Sequence, residues 1–220
     1  MKKTLIALLL AAGCSSSAPQ GEKTTETDFE NQVASSIAFD PALVKVGERA
    51  VYFVKRVGDT QTQRYIWSAV AEEGTAIWIE TKVPNDPRPP FVVKTKIDRS
   101  GKVLEEWVGE PGGVPGRSKL SGSTPKPVRD SSAAKSDTKE EPDKIVVGGK
   151  PYDCTRVTTV LTYPDGRKST MINWFSKEVP FAASRALGGL VKRQFGRLTM
   201  ELVAGDRNAK SELQIPPPEK

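Results

Sequence analysis

The sequence contains no histidine and only two cysteines among its 220 residues. Without an imidazole there can be no Ser-His or Cys-His pair, no histidine general base and no histidine metal ligand. Two cysteines are also too few for the usual thiolate-built structural zinc or iron–sulfur sites. The composition therefore argues against the enzyme and metal-centre classes that depend on these side chains, and no cofactor is expected.

The N-terminal apolar stretch is too short to span a bilayer, for which about 20 residues are needed. This stretch, Thr4 to Ala12, follows two lysines, Lys2 and Lys3. A short positive region followed by about 7–15 apolar residues is typical of a secretory signal peptide. We therefore expect an exported protein.

The tetrapeptide Ala11–Cys14 resembles a bacterial lipobox. The resemblance implies that residues 1–13 are removed and that Cys14 carries fatty acids such as palmitate, so the membrane would be a partner through a lipid anchor. Ser15, rather than an aspartate, implies sorting to the outer membrane, facing the periplasm. Removal of residues 1–13 would leave 220 − 13 = 207 residues and, with two lysines lost, a charge of +4 instead of +6.

Acylation of Cys14 would leave Cys154 with no cysteine to pair with. The sequence provides no histidine or further cysteine to activate its thiol. We predict that Cys154 is a small, buried and unreactive side chain in a strand, and the alternative is a reactive thiol.

The remaining chain divides by composition. Residues 14–40 are rich in Ser, Thr, Glu and Lys and predict a tether with a short helix, whereas residues 41–108 and 145–204 alternate apolar and polar side chains. These two stretches predict a single β domain. Residues 109–144 offer almost nothing apolar to bury and predict a disordered insertion, with a partner-binding arm as the alternative, and residues 205–220 predict a flexible tail.

Short runs rich in Val, Ile, Thr and aromatic residues, such as residues 51–57 and 152–163, predict an antiparallel meander. One short helix would be capped by Asp28. A second would begin at Pro180 and run to Leu187, with the next two residues, both glycines, ending it.

Three segments, Gly148–Cys154, Asn173–Pro180 and Gly189–Lys192, resemble a recurring pattern of bacterial envelope proteins. Those proteins are similar to the half-barrel lipoprotein-localisation superfamily, which includes carriers and receptors. The resemblance covers roughly residues 145–203. It implies a mostly β fold, a curved antiparallel sheet forming an open half-barrel with a helix on its concave side.

In carriers of this fold an apolar concave face holds acyl chains. The strand aromatics are the candidate lining here, chosen by residue type: Phe53, Trp67, Trp78, Phe91, Trp107 and Trp174. The alternative is that these side chains are ordinary core filling beneath the sheet.

Three functions are compatible with these features. The preferred one is a lipid-anchored, non-catalytic binding or structural module that docks another envelope protein. The second is lipid or lipoprotein handling through an apolar concave face, with acyl lipid as the ligand. The third, an enzyme, is disfavoured because Asp153, Asp165, Glu178 and Glu201 show no grouping. Scattered basic residues and a small net charge make a nucleic-acid partner unexpected.

Overall fold

A computed structural model describes residues 39–85, 88–118, 135–164 and 166–214. These residues form eleven strands: β1 Arg49–Arg56, β2 Gln63–Glu73, β3 Ala76–Asn85, β4 Arg88–Asp98, β5 Val103–Gly109, β6 Gly116–Arg117, β7 Lys135–Val147, β8 Lys150–Thr162, β9 Lys168–Ser176, β10 Gly189–Phe195 and β11 Leu198–Asp206. The expected short helix at Asp28 and the tether lie outside the described residues.

All eleven strands belong to one open antiparallel sheet in the order β6-β5-β4-β3-β2-β1-β11-β10-β9-β8-β7. The chain runs outward from β1 to β6 and then returns from β7 to β11, so β1 and β11 are neighbours in the middle. The prediction of a mostly β, open antiparallel sheet is confirmed.

Alternation of side chains defines the two faces of the sheet. On β1, Ala50, Tyr52 and Val54 are buried, while Phe53 between them is 43% exposed. Register pairs Tyr52 with Tyr65 and Ala50 with Trp67 on β2, so their side chains share one face. We call this the core face and the opposite one the outer face. The Tyr52 and Trp67 rings meet edge to face, with centroids 5.2 Å apart.

The helix predicted for residues 180–187 is wrong. This segment forms bends and one turn. Phe181 and Leu187 are both buried, although six residues would place them about 120° apart on a helix. The segment packs instead on the residues that precede β1, and the ring centroids of Phe39 and Phe181 are 5.6 Å apart. The two glycines predicted to stop the helix allow this approach, because a β-carbon at Gly189 would lie 2.0 Å from the Pro180 carbonyl oxygen.

The prediction of a disordered insertion over residues 109–144 is wrong at both of its described ends. Residues 116–117 form β6, and residues 135–144 belong to β7, which pairs with β8 over its whole length. The low apolar content of these residues predicted disorder, whereas β7 is held largely by its backbone hydrogen bonds to β8. Strands β6 and β7 lie at opposite edges of the sheet, so a tight turn between them could not connect the two strands.

The prediction of a flexible tail over residues 205–220 is also wrong for its described part. Strand β11 continues to Asp206, and Leu213 further along is fully buried. We call residues 207–213 the strap. It crosses the outer face of β3–β5, where it contacts Glu80 and Lys94.

Candidate functional site

The six predicted aromatic residues do not line one cavity. By strand alternation and register, Trp67 and Phe91 lie on the core face. The other four lie on the outer face: Phe53, Trp78, Trp107 and Trp174. None of the six lines either of the two cavities described below. Residue type could not assign these faces, because that requires the register of neighbouring strands.

The middle of the core face is filled by its own side chains. Tyr52 is fully buried, and its hydroxyl donates to the Leu190 carbonyl oxygen over 2.8 Å. Desolvation raises the pKa of Tyr52. Tyr65 stacks on Trp67 with ring centroids 5.9 Å apart. The aromatic side chains at the centre of this face therefore fill the core, which was the alternative to a cavity lining.

A buried arginine, Arg193, lies on the core face where the sequence suggested only scattered surface charge. Its Nε donates to Asn173 Oδ1 over 2.7 Å, which ties β10 to β9. Burial lowers the pKa of Arg193 to about 10. Val191 and Phe195 are two residues before and after Arg193, and all three are buried. This spacing in a strand is the sequence signal that could have placed Arg193 on the inward face.

A cavity of about 440 Å³ opens on the core face beside the turn after β1. Its lining is mainly polar: Arg56, Asp59, Thr60, Gln61 and Gln63, with Val54 and Leu198 as the apolar members. Acyl chains are held by apolar walls, so this cavity does not suit them.

A second cavity, of about 430 Å³, lies between the residues preceding β1, the 177–188 loop and the end of β11. We call it the basic pocket. Four cationic side chains line it: Lys45, Lys177, Arg185 and Arg207. They come from three separate parts of the chain, and no sequence motif announces them.

The outer face of β3–β5 under the strap is sealed, and we call it the covered wing. Glu80 and Lys94 lie opposite each other on β3 and β4, 3.1 Å apart, and both are buried. Ser211 donates to Glu80 over 2.5 Å, and the Lys94 ammonium donates to the Leu213 carbonyl over 2.7 Å. Each buried charge therefore has both an ionic and a hydrogen-bonded partner.

The outer face of β7–β9 carries charges instead, and we call residues 135–143, 155–162 and 168–174 the bare wing. Arg156 on β8 pairs with Glu141 and lies 3.8 Å from Asp143. The Asp143 carboxylate also accepts a 2.8 Å hydrogen bond from Trp174 Nε1. Trp174 is itself buried, and its indole N–H supports this charged network rather than lining either of the two cavities.

Cys154 is buried at the root of the bare wing and forms no disulfide. Burial, followed by the negative charges of Asp143 and Asp153, raises the pKa of its thiol to about 11. The predicted burial is confirmed, and low reactivity stays a prediction. Cys14 lies outside the described residues.

The described residues hold no group of three or more Cys, Asp or Glu side chains placed to bind a metal. Within the same ranges no helix is both long and apolar enough to cross a membrane. The arrangement offers binding surfaces: the basic pocket and the exposed edge of the bare wing.

No protein-family model and no curated protein matches the chain. Among solved structures, MucB in the MucA/MucB complex of Pseudomonas aeruginosa aligns with a TM-score of 0.42 and 12% identity, covering 74% of this chain and 52% of that one. A protein with a YmcC-like fold from Bacteroides fragilis aligns with a TM-score of 0.33 and 9% identity, covering 77% and 99%. A DUF1329 family protein from Desulfovibrio piger aligns with a TM-score of 0.30 and 13% identity, covering 74% of this chain and 87% of that one. The chain spans about half the length of the MucB chain. At these scores the likeness carries no information on function.

Proposed function

We propose that this protein is a lipid-anchored, non-catalytic binding module of the bacterial envelope. Its bare wing would capture an extended segment of another envelope protein along β7. The lipid on Cys14 would hold the module at the outer membrane, and the sheet would supply the docking edge.

The observation that carries the proposal is the free edge of β7. This strand has 13 residues and, among the residues that the structure describes, pairs on one side only, with β8. The opposite edge strand, β6, has two residues and offers little to pair with. A long edge strand presents unpaired N–H and C=O groups to an incoming strand.

Pro142 indicates which backbone groups face that edge. Proline has no N–H, so within a sheet it is tolerated where its nitrogen points away from the neighbouring strand. Alternate residues of a strand point their N–H and C=O groups the same way. We infer that Ser136, Thr138 and Glu140 present theirs to the free edge.

Charge on β7 sets the chemistry of the partner. Lys135, Asp137, Lys139 and Glu141 alternate in sign along the outer face of the strand. An incoming strand with the opposite alternation would form favourable cross-strand pairs, whereas a uniformly charged or apolar strand would not. Lysines and Pro142 also protect the edge against indiscriminate pairing.

A second copy of β7, running antiparallel, has a matching charge pattern. Pairing between two copies through this edge would involve little beyond one strand from each, which is less than the roughly 1,200 Å² of a stable interface. A segment of another protein can add contacts across the outer face, around the partly exposed Arg156. We therefore assign the site to another protein.

Lipid handling is the weaker candidate. The core-face aromatics are packed together, and the cavity on that face is lined mainly by polar side chains. Stoichiometric lipid in organic extracts of the purified protein would revive this candidate.

The test is site-specific photocrosslinking of the full-length lipoprotein in living cells. A photoreactive residue at Thr138 should give one discrete adduct with another envelope protein. A matched probe at Lys55, which is exposed on the central strand β1, should give none. Glu140→Pro should remove the adduct because it removes an edge N–H, while Glu140→Gln should keep it.

Thermal unfolding of each variant checks that the fold is intact. The same adduct from Thr138 and Lys55, or none from Thr138, would overturn the proposal. An adduct of twice the protein's own mass would overturn the assignment to another protein.

A further inference from the structure

The basic pocket is built around a buried carboxylate. Glu48 is 7% exposed, and its Oε2 accepts a hydrogen bond of 3.1 Å from the Phe181 N–H. Phe181 has a φ of 58°, which is uncommon for a bulky side chain and costs free energy. Its ring is buried against Phe39, and this contact anchors the loop beside the pocket.

The acidic side chains that line the pocket are all engaged. Besides Glu48, Asp206 pairs with Arg49 at 3.0 Å, and Glu178 pairs with Lys150 at 3.3 Å. None of these three carboxylates is paired with a cation of the pocket lining.

The cationic side chains of the lining are not engaged. Lys45, Lys177, Arg185 and Arg207 are exposed, and none of them forms an ion pair with any residue in the described part of the chain. Four cations thus face one cavity of about 430 Å³, and the three carboxylates that share its lining are bonded to other groups, so the lining carries a net charge of 4 − 3 = +1.

We propose that the basic pocket binds a phosphate-bearing anion. Guanidinium groups bind phosphate oxygens through paired N–H donors, and lysine ammonium groups add point charges. The cavity is in the size range of small-ligand sites. Phosphate chemistry is shared by free pyrophosphate and by the headgroup of an anionic phospholipid. The site is separate from the β7 edge, so the two proposals stand or fall independently.

The experiment uses the full-length chain in neutral detergent, with inorganic pyrophosphate titrated by calorimetry. The double variant Arg185→Gln/Arg207→Gln should weaken pyrophosphate binding at least about tenfold. A control with the same loss of charge, Lys55→Gln/Arg64→Gln, removes exposed cations of β1 and β2 and should change it less than about twofold.

A second arm measures flotation with phosphatidylglycerol or phosphatidylcholine vesicles, using the chain with Cys14→Ser and an ordinary cleavable signal. Pocket-dependent binding to phosphatidylglycerol vesicles, with or without pyrophosphate binding, supports the proposal and identifies a lipid headgroup as a ligand. Pyrophosphate binding alone supports it and identifies a free anion. Equal losses in the double variant and its control, or binding in neither arm, would overturn it.

Discussion

The covered wing and the bare wing belong to one antiparallel sheet, but they use charge in opposite ways. On the covered wing, Glu80 and Lys94 are buried beneath the strap and bonded to its backbone and side chains. On the bare wing, Arg156 and Glu141 form a pair that remains partly exposed. The first arrangement seals a face, and the second leaves a face and an edge open.

This difference indicates that the covered wing contributes more to stability and that the bare wing is better suited to binding. Burial of paired charges is costly unless every partner is in place, so the covered wing should be sensitive to single substitutions. Exposed pairs contribute little to stability, so the bare wing can change its sequence at small cost. A surface that contributes little to folding is free to serve recognition.

The largest effect should follow removal of the buried carboxylate. Glu80→Ala leaves the Lys94 ammonium buried without its ion partner and removes the acceptor for Ser211 and the Glu212 N–H. We expect a loss of about 3 kcal/mol in the free energy of unfolding, measured by urea denaturation. A loss below about 1 kcal/mol would show that the strap does not seal this pair.

Cys154 tests how tightly the inner end of the bare wing, at the start of β8, is packed. With a thiol pKa of about 11, roughly a thousandth of the thiol is ionised at pH 8. Together with burial, this should slow maleimide labelling of the folded chain about 100-fold relative to the urea-unfolded chain. Cys14→Ser keeps Cys154 as the only thiol for this measurement. Equal labelling rates for the folded and the unfolded chain would mean that Cys154 is accessible to solvent in the folded protein.

Leu213→Ala should weaken the strap without touching its charges. Leu213 is fully buried, and its Cδ1 sits against Gly109, where a β-carbon would come within 3.0 Å. We expect a loss of about 2 kcal/mol in the free energy of unfolding. Val203→Ala, at a half-exposed site on β11, is the matched control and should cost less than about 0.5 kcal/mol.

The smallest effect should come from the edge strand itself. Thr138→Ala removes an exposed hydroxyl that lies 3.4 Å from Thr159. We expect the free energy of unfolding to change by less than about 0.5 kcal/mol. A change as large as that of Leu213→Ala would contradict the contrast between the wings.

Sequence patterns predicted the elements whose stability comes from apolar alternation. Strand β1, with Ala50, Tyr52 and Val54 facing inward, is an example. Strand β7 could not be predicted this way because its first ten residues are almost all polar and are held by pairing with β8. The strap depends on Leu213 and on hydrogen bonds to residues far away in the chain, which leave no local signal.

The candidate sites were less predictable than the fold. Aromatic residues could be placed on strands, but only the register showed that Trp67 and Trp174 lie on opposite faces. The cations of the basic pocket meet through tertiary packing of the 177–188 loop, where the sequence predicted a helix. The prediction of a lipid anchor on Cys14 rests on the sequence alone.

Hydrogen exchange along β7 tests the central claim most directly. The full-length chain, purified from cell membranes together with any bound partner, would be compared with the same chain purified alone in the same detergent. We expect the amides of Ser136, Thr138 and Glu140 to gain protection in the membrane-derived sample, while those of β4 stay unchanged. Equal exchange of the β7 amides in both samples would contradict the account.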